Sequence, residues 1–418
     1  MKQFYTPIEI MSPVGSYESL MAAIQSGAGS VYFGLGDLNM RARSSANFTL
    51  EDLEKIVQIC KENNVLSYLT LNTVIYNHEI KKMQTMLDAA KKCGISAIIA
   101  SDMAVMNYCK QIGLEIHIST QCNITNIEAV RFYAQFADVI VLARETALKE
   151  IKQIVKQIHE EKICGPKGEI IKIEIFIHGA LCMAISGKCY ISLDNFNYSA
   201  NRGACLQPCR RGYHVKDMDS EVELAVENQY IMSPKDLCTI GFLNKILDAG
   251  VTVLKIEGRA RSPEYVKIVT KCYHEAIVDI QNQTYTQEKI DDWIVRLRSV
   301  YNRDFWDGYY LGQKVGEWTQ NYGSQATSTK QYVGKITNYF SKLKVAEILI
   351  ETNEISENDD IMVFGPTTGV VDVKVEEVRV NLARVNQATK GNYCSIPISD
   401  VVRRNDKVYK MIPQNFNL

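Results

Sequence analysis

The feature that most constrains this chain is a regular alternation between two kinds of segment over roughly its first 280 residues. Short runs rich in β-branched residues have the composition of buried strands. Between most of them lie longer segments, such as TLEDLEKIVQICKEN, whose apolar residues recur every three or four positions, the period of an α-helix. The strand candidates are IEIMS, SVYFGLG, LSYLTLN, AIIASD, EIHIST, DVIVLA, KIEIFIHG and VTVLKIEG. The chain therefore begins as a series of βα units.

Several helical segments stop at a glycine, as in AAIQSGA, AAKKCGI and KILDAGV, which is the usual end of a helix before a strand. Strands that alternate with helices form a parallel sheet covered on both faces. Eight such units favour a (β/α)8 barrel of the TIM type over an open doubly wound sheet. No GxGxxG motif follows the first strand, so a dinucleotide-binding fold gains little support. The predicted fold class is α/β.

The pattern changes after the barrel. Residues 284–330 combine a helical stretch with a polar linker, TQNYGSQATSTKQ. Beyond them, short alternating strands separated by turn residues predict a small C-terminal all-β barrel domain over residues 331–418. We therefore predict a TIM-like barrel over residues 1–283, with a cysteine-rich insertion in the βα loop at about 180–230, then the helical extension and linker, then the β-domain.

Composition narrows the class of protein. No apolar run approaches the roughly 18 residues that a membrane span requires, and the stretch MKQFYTPIEIMSP lacks the basic and apolar regions of a signal peptide. These observations predict a cytoplasmic protein that does not enter a membrane. The net charge is −1, which neither favours nor excludes nucleic acid, so any RNA-binding surface must be local.

Four of the twelve cysteines lie in the longest predicted βα connection, in the pattern C-x6-C-x15-C-x3-C: Cys182, Cys189, Cys205 and Cys209. Disulfides are disfavoured in a reducing compartment. Structural zinc usually uses tight C-x2-C turns, whereas irregular spacing through glycine-containing backbone suits an iron–sulfur cluster. The spacing favours iron–sulfur and leaves zinc, or no metal, open. Cys238, expected to open a helix near the barrel mouth, is an alternative fourth ligand.

Polar residues at the predicted strand ends should meet at one mouth of the barrel. In TIM barrels the ligand site forms where the strands end and the βα loops begin. The cysteine loop reaches the same mouth. The residues expected there are Asn72, Asp102, Gln121, Arg144, Glu145, His178, Lys255, Glu257 and Arg259.

Three motifs carry a resemblance to a known family. They are IFIHGALCMAISGKCYISLDNFNYSANRGACLQPCRRGY, MSPKDLC and LKIEGRARSPEY. With them the chain resembles the collagenase-like peptidase family from IEIMSPVGSYESLMAAIQSGAGSVYFG through the final β-domain. Despite the family's name, its characterised members include hydroxylases of tRNA wobble uridine, of ribosomal RNA and of a ubiquinone precursor. The C-terminal β-domain makes the chain most similar to the tRNA hydroxylase branch.

The resemblance implies a cofactor, a co-substrate and partners. The family's hydroxylases hold a [4Fe–4S] cluster, and Cys182, Cys189, Cys205 and Cys209 match its ligands. The RNA-acting members use prephenate as oxygen source, so the implied partners are tRNA and this small-molecule oxygen donor. Some relatives work in pairs, which leaves open a paralogous partner subunit.

Candidate roles follow from the chemistry of a dianionic donor and an RNA base. Arginine binds carboxylates through two parallel hydrogen bonds, and a flipped base is held by contacts to its edge. Arginines beside the cysteines could instead contact phosphates. The candidates at the reacting centre are His178, Arg144, Glu145, Lys255, Glu257 and Arg259. The candidates for substrate binding are Arg41, Arg43, Asn72, Gln121, Asn123, Arg202 and Arg210.

A peptidase is the alternative function. It requires a nucleophile or a metal-bound water, but the sequence contains no HExxH and no GxSxG. His178 could act as a base, although a histidine beside cluster ligands is more often a hydrogen-bonded neighbour of them. The sequence therefore favours an RNA hydroxylase over a collagenase-like peptidase.

Overall fold

The computed structural model describes residues 7–43, 47–214, 230–313 and 316–414. Part of the predicted cysteine-rich insertion, residues 215–229, lies outside the described residues. The strands of the first sheet are β1 (Glu9–Pro13), β2 (Ser30–Gly34), β3 (Leu66–Leu71), β4 (Ala97–Ala100), β5 (Ile116–Ile118), β6 (Val139–Val141), β7 (Lys172–Ala180), β8 (Asp236–Cys238), β9 (Val253–Ile256) and β10 (Phe305–Trp306).

Eight of these strands close into a parallel barrel. Strands β1 to β7 pair in chain order, and β9 pairs with both β7 and β1. The registers Phe176↔Lys255 and Ile10↔Leu254 complete the ring. All eight barrel strands coincide with the eight predicted runs, so the TIM-type fold is confirmed.

Apart from the short helix Ile191–Phe196, which lies in the cysteine-rich loop, the helices cover the outside of the barrel, as expected when both faces of a parallel sheet must be buried. Their bounds are α1 (Tyr17–Gln25), α2 (Asp52–Glu62), α3 (Ile80–Cys93), α4 (Met103–Ile112), α5 (Ile127–Tyr133), α6 (Leu148–Glu160), α7 (Ile191–Phe196), α8 (Leu243–Asp248), α9 (Pro263–Gln281) and α10 (Gln287–Arg298). Short 3-10 turns lie at Asn77–Glu79, Thr120–Cys122, Ala200–Arg202, Pro208–Arg210 and Ile240–Phe242.

Local sequence explains where the barrel helices begin and end. Ser16 caps α1 by accepting a hydrogen bond from the backbone N–H of Ser19, and Asp102 caps α4 in the same way through Ala104. Gly94 and Gly113 end α3 and α4 with φ of +78° and +70°, a backbone conformation that glycine adopts without steric cost. The predicted helix stop at AAKKCGI is confirmed.

The C-terminal part is built of antiparallel sheets. Its strands are β11 (Ser328–Phe340), β12 (Val345–Ile350), β13 (Glu354–Ser356), β14 (Asp360–Gly365), β15 (Gly369–Lys374), β16 (Val378–Val380), β17 (Ala383–Val385), β18 (Gln387–Thr389), β19 (Tyr393–Pro397) and β20 (Lys407–Pro413). Eight form one sheet in the order β15-β14-β20-β11-β12-β19-β16-β17, and β13 pairs with β18. The predicted all-β architecture is confirmed.

The C-terminal sheet packs against α1 and α9 on the outside of the barrel. Ala22 of α1 lies in an apolar cluster with Phe364 and Val370. Ion pairs flank this contact: Lys267 of α9 lies 2.6 Å from Asp372, and Lys330 lies 2.8 Å from Glu264. The sheet therefore covers helices of the barrel wall rather than the mouth.

No helix among the described residues is long and apolar enough to cross a membrane.

Candidate active site at the barrel mouth

A cavity of about 140 Å³ lies at the carboxyl ends of the barrel strands, beneath the cysteine loop. Polar side chains from five of the barrel strands or the residues that follow them, and all four loop cysteines, line it, so the predicted convergence on one mouth occurs in the structure. The predicted site residues that line it are Arg41, Asn72, Gln121, Arg144, Cys182, Cys189, Cys205, Cys209, Lys255, Glu257 and Arg259.

The cysteine loop leaves and rejoins the barrel at one place. Strand β7 ends at Ala180, and the antiparallel strand β8 returns beside it, with Ala180 opposite Asp236. Arg210 ties the loop to this base by donating hydrogen bonds to the carbonyl oxygens of Leu181 and Pro234. Gly203, at φ +74°, packs so closely on the βα loop after β2 that an added Cβ would lie 2.1 Å from the Asn39 carbonyl oxygen. A larger residue there would displace the loop from the mouth.

The four loop cysteines are free thiols that face one cavity. Burial raises the pKa of Cys209 to about 11, and the neighbouring thiolate charges of Cys182, Cys205 and Cys189 add to this rise. No group of three potential ligands among the described residues is already arranged around one metal position. Four thiols around one cavity nevertheless form the soft donor set that an iron–sulfur cluster needs. A cluster's positive irons would relieve the thiolate repulsion. The four thiols therefore have the chemistry that ligands of an iron–sulfur cluster require.

Cationic side chains surround a carboxylate on the opposite wall of the cavity. Arg41 Nη2 lies 2.7 Å from Glu257 Oε1. Burial alone would raise the pKa of Glu257, but the charges of Arg41 and Arg261 hold it at about 2. Arg259 donates a 2.7 Å hydrogen bond from Nη1 to Thr70 Oγ1, and burial lowers its pKa to about 10. Glu257 is therefore ionised at neutral pH and balances part of the positive charge.

Arg144 lines the same cavity, and its side chain has an Nε–H donor that is not used by any described residue. Its Nη1 donates to the Ala180 carbonyl oxygen at 3.3 Å, and its Cζ lies 4.2 Å from the centre of the Phe176 ring. Its buried Nε–H has no hydrogen-bond partner among the described residues. A buried donor without a partner costs free energy, which a ligand oxygen in the cavity would recover.

Lys255 belongs to a buried chain of charges in the barrel interior. Its Nζ lies 2.7 Å from Glu174 Oε1, and Glu174 Oε2 lies 3.6 Å from His117 Nδ1, an ion-pair rather than a hydrogen-bond distance. Glu174 has no exposed surface, and His117 is 1% exposed. Burial lowers the pKa of Lys255, whereas the charge of Glu174 opposes the shift. Lys255 thus presents a cation at the cavity floor whose orientation depends on Glu174.

Amide groups form a third wall. Asn72 donates from Nδ2 to Ser119 Oγ and to Gln121 Oε1, both at 3.2 Å, and its Oδ1 accepts from the backbone N–H of Met40. These contacts fix the two amides side by side at the ends of β3 and β5. Paired amide donors and acceptors can hydrogen-bond to the edge of a nucleobase.

The structure places His178 outside the cavity. It is 1% exposed, and the rings of Tyr265, Tyr273 and Phe305 surround it. Its Nδ1 lies 3.4 Å from Tyr273 Oη, and burial lowers its pKa to about 3. The pairing of β7 with β9 shifts register between Phe176 and His178, so that Phe176 lines the cavity while His178 packs behind the wall. His178 is therefore a neutral core residue here.

Six other predicted residues also lie outside the cavity lining. One of them, Asp102, caps α4 and also accepts a hydrogen bond from the backbone N–H of Ile75. Glu145 follows Arg144 and is exposed. Arg43 lies with its Cζ 4.3 Å from the ring centre of Tyr198, and Arg202 pairs with Glu79 at 2.7 Å. The remaining two, Asn123 and Arg210, donate hydrogen bonds to backbone carbonyl groups. The acceptors are Gln121 and Ser186 for Asn123, and Leu181 and Pro234 for Arg210.

Cys238 differs from the prediction. It ends strand β8 opposite His178, instead of opening a helix, because the returning loop adds an antiparallel strand to β7. Its Sγ is buried, lies 4.0 Å from Tyr273 Oη and does not line the cavity. The position does not bring Cys238 together with the four loop cysteines.

Several residues at or below the cavity were not predicted as site residues. Thr70, Tyr32 and Ser119 line it, but their residue types are common in strands and carry no distinctive signal. Glu174 and His117 did carry a sequence signal. They lie in the middle of the buried strands KIEIFIHG and EIHIST, and a charged or titratable residue in such a place needs a partner.

These features define a class of protein: a TIM-barrel enzyme whose mouth combines thiols, guanidinium groups and amides. Residues 15–320 match the family model described as Peptidase family U32. This match spans well over half of the chain, and the chain therefore belongs to peptidase family U32, as the motifs predicted.

Some relatives of this chain are named as collagenases and others for the hydroxylation of RNA. The chain is 61% identical over 402 residues to a collagenase of Porphyromonas gingivalis strain W83, covering 96% of this chain and 97% of that protein. It is 31% identical over 370 residues to tRNA hydroxylation protein P1 of Bacillus subtilis strain 168, covering 86% and 83%. It is 34% identical over 271 residues to a 23S rRNA 5-hydroxycytidine synthase of Escherichia coli K12, covering 65% and 39%.

Proposed function

We propose that this protein is a tRNA hydroxylase that converts wobble uridine to 5-hydroxyuridine, with prephenate as the oxygen source and a [4Fe–4S] cluster as cofactor. The observation that carries the proposal is the single cavity lined by four cysteines, three arginines and a pair of amides. The cavity offers thiols for a metal cluster, guanidinium groups for a carboxylate donor and amides for the edge of a base. Relatives named as tRNA and rRNA hydroxylation proteins support the same reaction class.

In this proposal the wall arginines bind the dianionic donor. Arg144 offers its unpartnered Nε–H, and Arg259 presents a buried guanidinium beside Thr70. Arginine and carboxylate form charge-assisted hydrogen bonds that are stronger than neutral ones. Glu257 orients Arg41 through their ion pair, and its negative charge offsets part of the positive charge of the neighbouring arginines. These groups orient prephenate without taking part in bond making.

The amide pair and the cysteines take the other two roles. Asn72 and Gln121 would hold the edge of a uracil ring that has left its stack. Cys182, Cys189, Cys205 and Cys209 would hold the cluster above it. When bound, such a cluster supplies redox-active iron close to the substrate.

The decisive experiment supplies purified, anaerobically prepared protein with unmodified tRNA and prephenate, and measures 5-hydroxyuridine by mass spectrometry of the digested RNA. We expect hydroxylation that requires prephenate and intact tRNA. Deletion of the gene should remove wobble hydroxylation in cells when any relative with overlapping activity is deleted as well. Peptide cleavage by cluster-loaded protein that leaves tRNA unmodified would contradict the proposal.

A collagenase-like peptidase is the second candidate, favoured by the name of the relative that is 61% identical. Against it, no histidine is among the described residues that line the mouth cavity, and the buried position of His178 removes the predicted base. A thiol nucleophile normally needs an adjacent base or a lowered pKa, yet the pKa values of Cys189 and Cys209 are raised. Gelatin cleavage without prephenate, abolished by a Cys189 substitution, would favour this candidate.

A further inference from the structure

A second cavity, of about 440 Å³, lies on the other side of the cysteine loop. Cys205 lines both cavities, so the loop forms a thin partition between them. The rest of the second cavity is formed by the end of the loop and by two segments that precede the C-terminal sheet. Its other lining residues are Leu206, Gln207, Arg210, Arg211, Ser233, Tyr301, Arg303, Asn321, Tyr322 and Gly323.

The described lining of the second cavity is positively charged. Arg210, Arg211 and Arg303 line it, and no carboxylate is among the described residues of its lining. Asp236 lies beside this lining, 3.3 Å from Arg303. A set of arginines at the rim of an open cavity attracts an anion, and phosphate matches the planar guanidinium fork.

The arginines differ in how freely they can bind. Arg210 already donates to Leu181, Ser233 and Pro234 and therefore shapes the cavity. Arg211 is exposed, and its Cζ lies 5.2 Å from the ring centre of Phe196, a weak contact that a ligand can replace. Arg211 is therefore the cation best placed to contact a phosphate.

Aromatic side chains accompany the charge. Tyr322 is 73% exposed, and its ring centre lies 6.4 Å from that of Tyr230. Arg261 lies with its Cζ 3.6 Å above the ring of Tyr301, which holds that ring in place. Exposed aromatic rings beside arginines bind single-stranded nucleic acid, because bases stack on the rings while the cations contact the backbone.

We propose that the second cavity binds the phosphodiester and base of a nucleotide next to the target uridine, while the uridine itself enters the mouth cavity. This inference rests on the proposed function and deepens it, since it assigns a single-stranded RNA segment to both sides of the cysteine loop. An acidic peptide would also pair with the arginines, but its aspartate and glutamate side chains have no ring to stack on the exposed face of Tyr322, so RNA is the favoured occupant.

The test uses the full-length, cluster-loaded protein and an anticodon stem-loop RNA with a wobble uridine, titrated over a series of salt concentrations. Arg211→Gln should weaken binding roughly threefold to tenfold and lower the slope of log affinity against log salt by about one. Tyr322→Ala should weaken binding without changing the slope, because it removes stacking and no charge. Arg131→Gln on α5 is the control: it removes an arginine from the outer helices, and both affinity and slope should stay as in the wild type.

The outcomes separate this inference from the proposed function. Wild-type protein that hydroxylates tRNA, together with Arg211→Gln and Tyr322→Ala variants that bind as tightly as Arg131→Gln, would overturn the inference alone. Wild-type protein that neither binds nor modifies the RNA would overturn both. RNA binding that neither Arg211→Gln nor Tyr322→Ala weakens, together with polyglutamate binding that Arg211→Gln does weaken, would assign the cavity to an acidic peptide instead.

Discussion

The barrel and the C-terminal sheet fill their interiors in different ways. The C-terminal core is aliphatic, with residues such as Ile348 and Val363 packed on Cys394. The barrel interior instead buries Glu174, Lys255 and several further charged groups beneath the mouth. Burying ions costs free energy even when they are paired, and apolar replacements are often as stable. The comparison indicates that the sheet is built for stability, whereas the barrel interior gives up stability to place charge at a site.

The cysteines should give the sharpest contrast between the two regions. Replacing any of Cys182, Cys189, Cys205 or Cys209 with alanine should abolish iron retention, because each supplies one ligand of the predicted cluster. Cys394→Ala, in the aliphatic core of the C-terminal sheet, is the matched control and should keep about four irons per chain. Iron content and visible absorbance of anaerobic preparations measure the effect.

Cys238→Ala completes that experiment. Its thiol is buried behind the cavity beside Tyr273, so most of the iron should remain. Full iron in the Cys209 variant together with loss in the Cys238 variant would reverse the ligand assignment, and zinc alone in the wild type would point to a structural metal.

Removing the buried carboxylate should have the largest effect on stability. Glu174→Ala leaves Lys255 without its counter-charge inside the barrel and leaves His117 with Glu115, 3.8 Å away, and we expect it to lower the free energy of unfolding by about 3–5 kcal/mol. Ile348→Val in the C-terminal core should lower it by only about 0.5–1.5 kcal/mol. Urea denaturation measures both. A loss near 1 kcal/mol in the Glu174 variant would mean that the barrel tolerates unpaired charge, contrary to the comparison.

Arg144 should affect activity more than stability. Arg144→Ala removes the guanidinium with the unpartnered Nε–H, and kcat/KM for prephenate-dependent hydroxylation should fall by roughly 10- to 100-fold, as expected for a lost charge-assisted hydrogen bond of about 1.5–3 kcal/mol. The control Arg384→Ala removes an exposed arginine of the C-terminal sheet and should leave kcat/KM unchanged. A large drop in melting temperature with unaltered donor dependence would make Arg144 structural.

The predicted effect at His178 depends on pH. Burial lowers its pKa from 6.5 to about 3, so the unfolded chain binds the proton more readily than the folded protein. Its contribution to stability is complete above pH 6.5 and is lost as the pH falls toward 3. Between pH 7 and pH 5 the loss should be roughly 2 kcal/mol. His178→Phe should remove this part of the pH dependence. A variant that keeps the full pH dependence would show that folding does not lower the pKa of His178.

Much of the architecture follows from sequence periodicity. All eight barrel strands could be predicted because a buried parallel strand is a nearly continuous apolar run, and AIIA and VIV have no competing helical period. The same logic placed Arg259 and Glu257 at the mouth, since both lie within three residues of the end of β9. Predictions that depend only on the end of a strand therefore succeeded.

Predictions that depend on the direction of a side chain were less secure. His178 ends a predicted strand, but a one-residue irregularity in the pairing of β7 with β9 turns it behind the wall, and no sequence signal marks that irregularity. Glu145 points to solvent because it follows Arg144 directly. Cys238 lies in a strand whose existence depends on the return path of a long loop, which local propensity cannot encode.

The return of the cysteine loop to its own starting point has a consequence for divergence within the family. Because Ala180 and Asp236 are paired, the loop leaves and rejoins the barrel at neighbouring positions. The entropic cost of closing such a loop rises only logarithmically with the length of the loop. The segment between these two positions can thus be lengthened or shortened at low entropic cost without disturbing the register of β7. The loop can therefore change in length during evolution while the eight-stranded scaffold is kept.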